Sequence, residues 1–139
     1  MRHPSSLLIT GFALAALTLT TVSAGPQNSG GSQEARKIKN PVPASAASVA
    51  AGEAAFKKYC AFCHGADAKG NGPMAPKGTH PPDLTDTKWD RGATDAEIFA
   101  VIQNGAGPKF DMKGFKGKMP DKDMWQVVNY VRSLGPKAR

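Results

Sequence analysis

Cys60-Ala61-Phe62-Cys63-His64 is the stretch whose residue types and spacing can do chemistry. Two thiols three positions apart on one helical turn can each add to a vinyl group on the same porphyrin edge. The next residue then points its imidazole at the iron as proximal ligand. Cys-x-x-Cys-His therefore reads as a site for covalent attachment of one c-type haem. These two cysteines are the chain's full complement, so one motif accounts for both. Three other chemistries use the same residue types. A redox dithiol of this spacing accompanies a βαβ pattern, which this sequence lacks. A zinc site needs about four ligands, and no second Cys or His cluster supplies the rest. A disulfide across two intervening residues closes too small a loop to stabilise much.

The segments around the motif fit an exported chain. Arg2 and His3 precede an apolar run from Leu7 to Leu19, too short for a bilayer span. Val22-Ser23-Ala24 then offers small residues for processing, so residues 1–24 are expected to be a cleavable signal peptide. An uncleaved anchor is the alternative. The expected location is periplasmic or otherwise exported, with no stable membrane span after cleavage. Residues 25–47 are rich in Gly, Ser, Pro and Ala without period and are expected to be a flexible linker. The haem domain is expected over 48–136, with a basic tail at 137–139. The formal charge of +7 is misleading as a guide to partners. Between Ala46 and Pro136 twelve Lys and Arg face ten Asp and Glu, and the excess lies at the ends. Nucleic-acid binding is thereby discounted. A local asymmetry remains, with Lys109, Lys113, Lys116 and Lys118 in one loop against a single Asp111.

The elements that must position the motif follow in order. A helix is expected from near Ser48 into Cys60, with Gly52, Phe56 and Cys60 on one face. Glycine inside a helix costs roughly 1 kcal/mol relative to Ala, which suggests a second helix crossing closely over Gly52. From Gly65 to Asp90 Gly, Pro and Asn dominate, giving a long ordered loop on the proximal side. A ligating imidazole needs an acceptor for its second N–H; the Pro73 carbonyl is the candidate and Pro76 the fallback. Leu84 and Trp89 are expected to cover the haem, with the indole N–H toward a propionate; ordinary core packing of Trp89 is the alternative. Thr94-Asp95-Ala96-Glu97 is a capping box, and Asn104-Gly105 stops that helix. A loop from Gly105 to Lys118 ends in Met119-Pro120. The last helix is expected to take Asp121 as N-cap, bury Met124, Val127, Val128, Val131 and Leu134, and close at Gly135-Pro136. Its expected partner is the first helix, with Tyr130 near Phe56 over Gly52.

Over roughly residues 46–136 the chain resembles monohaem class I c-type cytochromes of bacterial type. The likeness rests on Cys60-Ala61-Phe62-Cys63-His64-Gly65, the Gly52/Phe56 spacing, the Gly72-Pro73 turn, and Met119-Pro120 before an aromatic-bearing final helix. It implies an all-α, small cytochrome c fold: three to four helices around one covalently attached haem c, with long irregular loops. It also implies thioethers at Cys60 and Cys63, and a second axial ligand from the loop before the last helix, which here is Met119. A thioether favours ferrous iron, and the residue before a proline is biased away from helix. Met112, His80 and Met74 stay open as alternatives, with Met124 read as core. A six-coordinate iron leaves one-electron transfer between redox partners rather than enzymatic turnover. The lysine loop would then face acidic docking surfaces. Two other readings are a dedicated haem subunit of a dehydrogenase or oxidase complex, and a haem enzyme or gas sensor with an open sixth site.

Overall fold

The computed structural model describes residues 37–107 and 111–135. The expected signal peptide, most of the expected linker, Lys109 and the basic tail lie outside these residues. The elements are α1 (Ala46–Tyr59), α2 (Ala61–His64), α3 (Asp95–Asn104), a two-strand hairpin of β1 (Gly105–Ala106) and β2 (Met112–Lys113), and α4 (Asp121–Leu134). The hairpin pairs Gly105 with Lys113 and Ala106 with Met112. It is the one departure from an all-helical reading among the described residues, and a small one.

The alanine-rich α1 begins two residues before the expected start. Ser45 is its N-cap, and Ser48 closes a reciprocal box in which each hydroxyl accepts from the other residue's backbone N–H. Gly52 is buried where α1 crosses α4. A Cβ there would overlap the Gln126 carbonyl and lie 2.9 Å from the Cβ of Tyr130. Only the missing side chain lets the helices approach so closely, as expected. One turn on, the Phe56 ring meets Tyr130 at 5.2 Å between centroids. Phe56, Met124, Val127 and Val128 are fully buried. Each such side chain contributes roughly 1.5–3 kcal/mol by leaving water. Phe99 of α3 stacks on Trp125 of α4 at 4.0 Å, adding the third helix to this core. The N-cap of α4 is Pro120 rather than Asp121, with no side-chain cap bond.

Part of the stretch read as a linker is held firmly. Asn129 of α4 is buried, and a buried amide needs partners. It accepts from Asn40 Nδ2 at 2.8 Å and donates to the Val42 carbonyl and the Ser48 hydroxyl, each at 3.1 Å. Asn40 also donates to the Trp125 carbonyl at 3.3 Å. Residues 40–45 are thus a strap laid along α4. Within the stretch expected to be a linker, Asn40, Val42 and Pro43 are hydrogen-bonded to α4.

Candidate functional site

Helix α2 is only four residues long, too short to hold its shape by its own hydrogen bonds. The loop that follows supplies what is missing. The last carbonyls of α2 are orphans in any helix, and here each finds a backbone N–H. Ala61 accepts from Gly65 at 2.9 Å, Phe62 from Met74 at 2.8 Å, Cys63 from Gly72 at 3.1 Å and His64 from Gly70 at 2.7 Å. Gly72 has to be glycine, because a Cβ would stand 2.5 Å from the Phe62 carbonyl oxygen. The loop from residue 65 onward therefore clamps the motif helix and fixes where Cys60, Cys63 and His64 point.

Both sulfurs are free thiols. Cys60 is buried, and its thiol is pushed up to about 12, first by burial and then by the neighbouring Cys63. Cys63 is half-exposed, its Sγ 3.4 Å from the Met74 carbonyl. His64 is 8% exposed; its pKa is lowered by burial, against a smaller upward pull from the Pro82 carbonyl. Its Nδ1 is buried without a completed hydrogen bond. A buried imidazole kept neutral, beside two sulfurs on one turn, is the donor set that a covalently attached haem requires. The residues fit that group.

The backbone carbonyl that acts on the His64 ring is that of Pro82, whereas Pro73 was the expected one; His64 Nδ1 completes no hydrogen bond to either. The path of the loop explains why. Pro73 sits between Gly72 and Met74, which are occupied capping Cys63 and Phe62. The Pro76 carbonyl is taken locally by the backbone and hydroxyl of Thr79. The chain then doubles back, with the Leu84 N–H on the Ala68 carbonyl at 2.8 Å, and so brings Pro82 alongside His64. No local pattern marks Pro82 for this place, which depends on where the loop doubles back.

Among the methionines, Met119 is 5% exposed and shares one core cluster with Cys60 and Phe56. The Phe56 ring in turn lies 6.4 Å from that of His64. Met124 is fully buried in the α4 stripe, Met112 is half-buried in the hairpin, Met74 is 65% exposed and His80 is exposed. Trp89 is half-buried against the helical core, with the Arg132 guanidinium 5.8 Å from its ring. Arg132 is itself held by Asp95 and the Ala93 carbonyl. Lys113, Lys116 and Lys118 are exposed. A contact the sequence did not suggest joins Tyr59, next to Cys60, to Phe115 of the lysine loop at 6.0 Å. Lys58 lies 4.9 Å from the Tyr59 ring and so joins the same side. Among the described residues no group of three or more His, Cys, Asp or Glu is arranged to hold a metal ion.

Comparison with known proteins gives one consistent answer. The family model described as cytochrome C oxidase, cbb3-type, subunit III matches residues 47–131. The cbb3-type cytochrome c oxidase subunit CcoP of Rhodobacter capsulatus is 36% identical over 98 residues, 67% of this chain and 31% of that protein. Subunit FixP of Bradyrhizobium sp. (strain ORS 278) is 34% identical over 86 residues, 62% of this chain and 27% of that protein. The chain thus matches about a third of the length of these curated relatives. Among solved structures, cytochrome CL of Methylophaga aminisulfidivorans aligns with a TM-score of 0.54 at 26% identity, covering 66% of this chain and 57% of that one.

Proposed function

The chain belongs to the family of cytochrome c oxidase, cbb3-type, subunit III, and on that premise we propose that it carries one electron at a time on a single covalently bound haem c with His64 and Met119 as axial ligands. The observation that carries this is the α2 clamp: two free sulfurs and a buried imidazole, its Nδ1 without a completed hydrogen bond, held on one turn by four backbone hydrogen bonds. The haem supplies the ferric/ferrous couple. The protein's residues do the rest. Cys60 and Cys63 would hold the porphyrin edge; the Pro82 carbonyl would orient the His64 ring; Phe56 and the α4 stripe would exclude water. Met119 is the buried methionine of the loop ahead of α4, which supports it over Met74, Met112 and His80. Covering of the haem by Leu84 and Trp89 is part of the same proposal.

Electrons are exchanged with proteins outside the inner membrane, and the surface near Cys63 suits that. Phe62 is 53% and Met74 65% exposed, and the Met74 N–H binds the Phe62 carbonyl beside Cys63. An apolar patch at the attachment edge, with Lys58, Lys113, Lys116 and Lys118 on the loop side, suits partners with acidic docking surfaces. The family match favours a place in a larger oxidase complex over a free carrier. Among the described residues no helix is long and apolar enough to cross a membrane. Optical spectra of wild-type and Met119→Ala protein, with and without CO, test the assignment. The wild-type ferric protein is expected to show the weak red-end band of methionine–iron ligation and a reduced form slow to bind CO. Met119→Ala is expected to lose the band and bind CO fast. Fast CO binding by the wild type, with no such band, would indicate an open-site haem enzyme or sensor instead.

A further inference from the structure

We infer that the edge-on contact between Tyr59 and Phe115 is the latch that sets how often the loop bearing Met119 opens, an inference that rests on Met119 as the sixth ligand. Tyr59 is the last residue of α1 and immediately precedes Cys60. Phe115 stands four residues before Met119. Their rings meet at 6.0 Å and 68°. The contact therefore joins the segment that anchors the porphyrin to the segment that closes over it.

The loop is built to move as one piece. The Phe115 carbonyl accepts from both Lys118 N–H, at 2.9 Å, and Met119 N–H, at 3.0 Å, so residues 115–119 form a single hydrogen-bonded turn. On its far side this turn is seated on the end of α3, with Phe115 N–H on the Ile102 carbonyl and Lys116 N–H on that of Gln103, each at 3.0 Å. These bonds also satisfy carbonyls that α3 leaves open at its C-terminus. Toward α1 the turn is met by the Tyr59 ring. Tyr59 is 40% exposed and stands outside the buried core cluster, against which Phe115 packs. A displaced Phe115 carries Met119 with it through the shared carbonyl. Tyr59 and Phe115 are thus positioning residues for the axial ligand.

The test uses ferric holoprotein and imidazole as entering ligand, following the Soret change and the loss of the red-end band. At saturating imidazole the rate reports loop opening. Tyr59→Ala and Phe115→Ala are each expected to raise that rate about 2–10-fold, the range an aromatic pair of this geometry supplies. The double variant should be no faster than the quicker single one, because both remove the same contact. Tyr59→Phe, which keeps the ring, should match the wild type. Tyr59→Leu, which keeps apolar bulk without the ring, gives the same reading should the alanine variant load haem poorly. Unchanged rates, singles that multiply in the double variant, or Tyr59→Phe opening as fast as Tyr59→Ala each overturn the latch. A wild-type protein without the red-end band overturns the Met119 assignment and the latch together; the band with uncoupled rates overturns the latch alone.

Discussion

Gly52→Ala probes the helix crossing that frames the site. The added Cβ would overlap the Gln126 carbonyl and lie 2.9 Å from the Tyr130 Cβ, where ordinary contact begins at 3.4 Å. The obstacle is backbone, which cannot swing aside, so α1 and α4 must separate by something on the order of 1 Å. A gap of that size forfeits a quarter to a half of each dispersion contact across it, here for Phe56, Val127 and Tyr130. Overpacking of this kind costs about 3 kcal/mol at the upper end of its usual range. Replacing a helical glycine by alanine returns roughly 1 kcal/mol. The net destabilisation is about 2 kcal/mol, which lowers the Tm of a domain this size by roughly 8–16 °C. Thermal unfolding of the haem-loaded protein, followed by circular dichroism at the Soret band, measures it. Gly135→Ala is the control: nothing stands within 4 Å of its would-be Cβ, and its φ of −74° suits any residue. Should Gly52→Ala melt at or above the wild-type temperature while Gly135→Ala is neutral, the close crossing is wrong.

Three further outcomes are expected. Asn129→Ala takes one hydrogen-bond partner from each of Asn40, Ser48 and the Val42 carbonyl; it should cost about 1–3 kcal/mol, read by chemical denaturation, and speed proteolysis within residues 38–45. The Asp83 carboxyl is held below its ordinary pKa by the Thr85 hydroxyl and then the Thr85 backbone N–H. Its contribution is full above the unfolded-state value and vanishes as pH falls through the depressed folded one; Thr85→Val should move the Asp83 pKa upward in an NMR titration. Neutralising Lys113, Lys116 and Lys118 together should slow electron exchange with an acidic partner at low ionic strength and flatten its salt dependence, as stopped-flow rates would show.

The sequence made the crossing legible because a helical glycine four residues before an aromatic has few uses other than close approach. The capping box of α3 was equally plain: Thr94 and Glu97 satisfy each other's neighbours locally, with the Glu97 carboxylate 3.0 Å from the Thr94 N–H. Ser45 and Ser48 obey the same logic, but a serine at the third position is a weaker signal than a glutamate, so the sequence points to a start two residues later than the helix has. What stayed hidden depends on residues far apart in the chain. Asn129 is an unremarkable polar residue on α4 until the strap from Asn40 to Pro43 is laid against it. The choice of Pro82 over Pro73 turns on where a long loop folds back, which no local pattern encodes. Tyr59 and Phe115 likewise meet only once α1 and the lysine loop are packed together.

The most direct measurement is the mass of the purified protein, combined with thiol alkylation under denaturing conditions. A polypeptide heavier by one haem, with neither Cys60 nor Cys63 open to alkylation, is the predicted result. A haem-free mass with two alkylatable cysteines would contradict the electron-carrier account at its foundation.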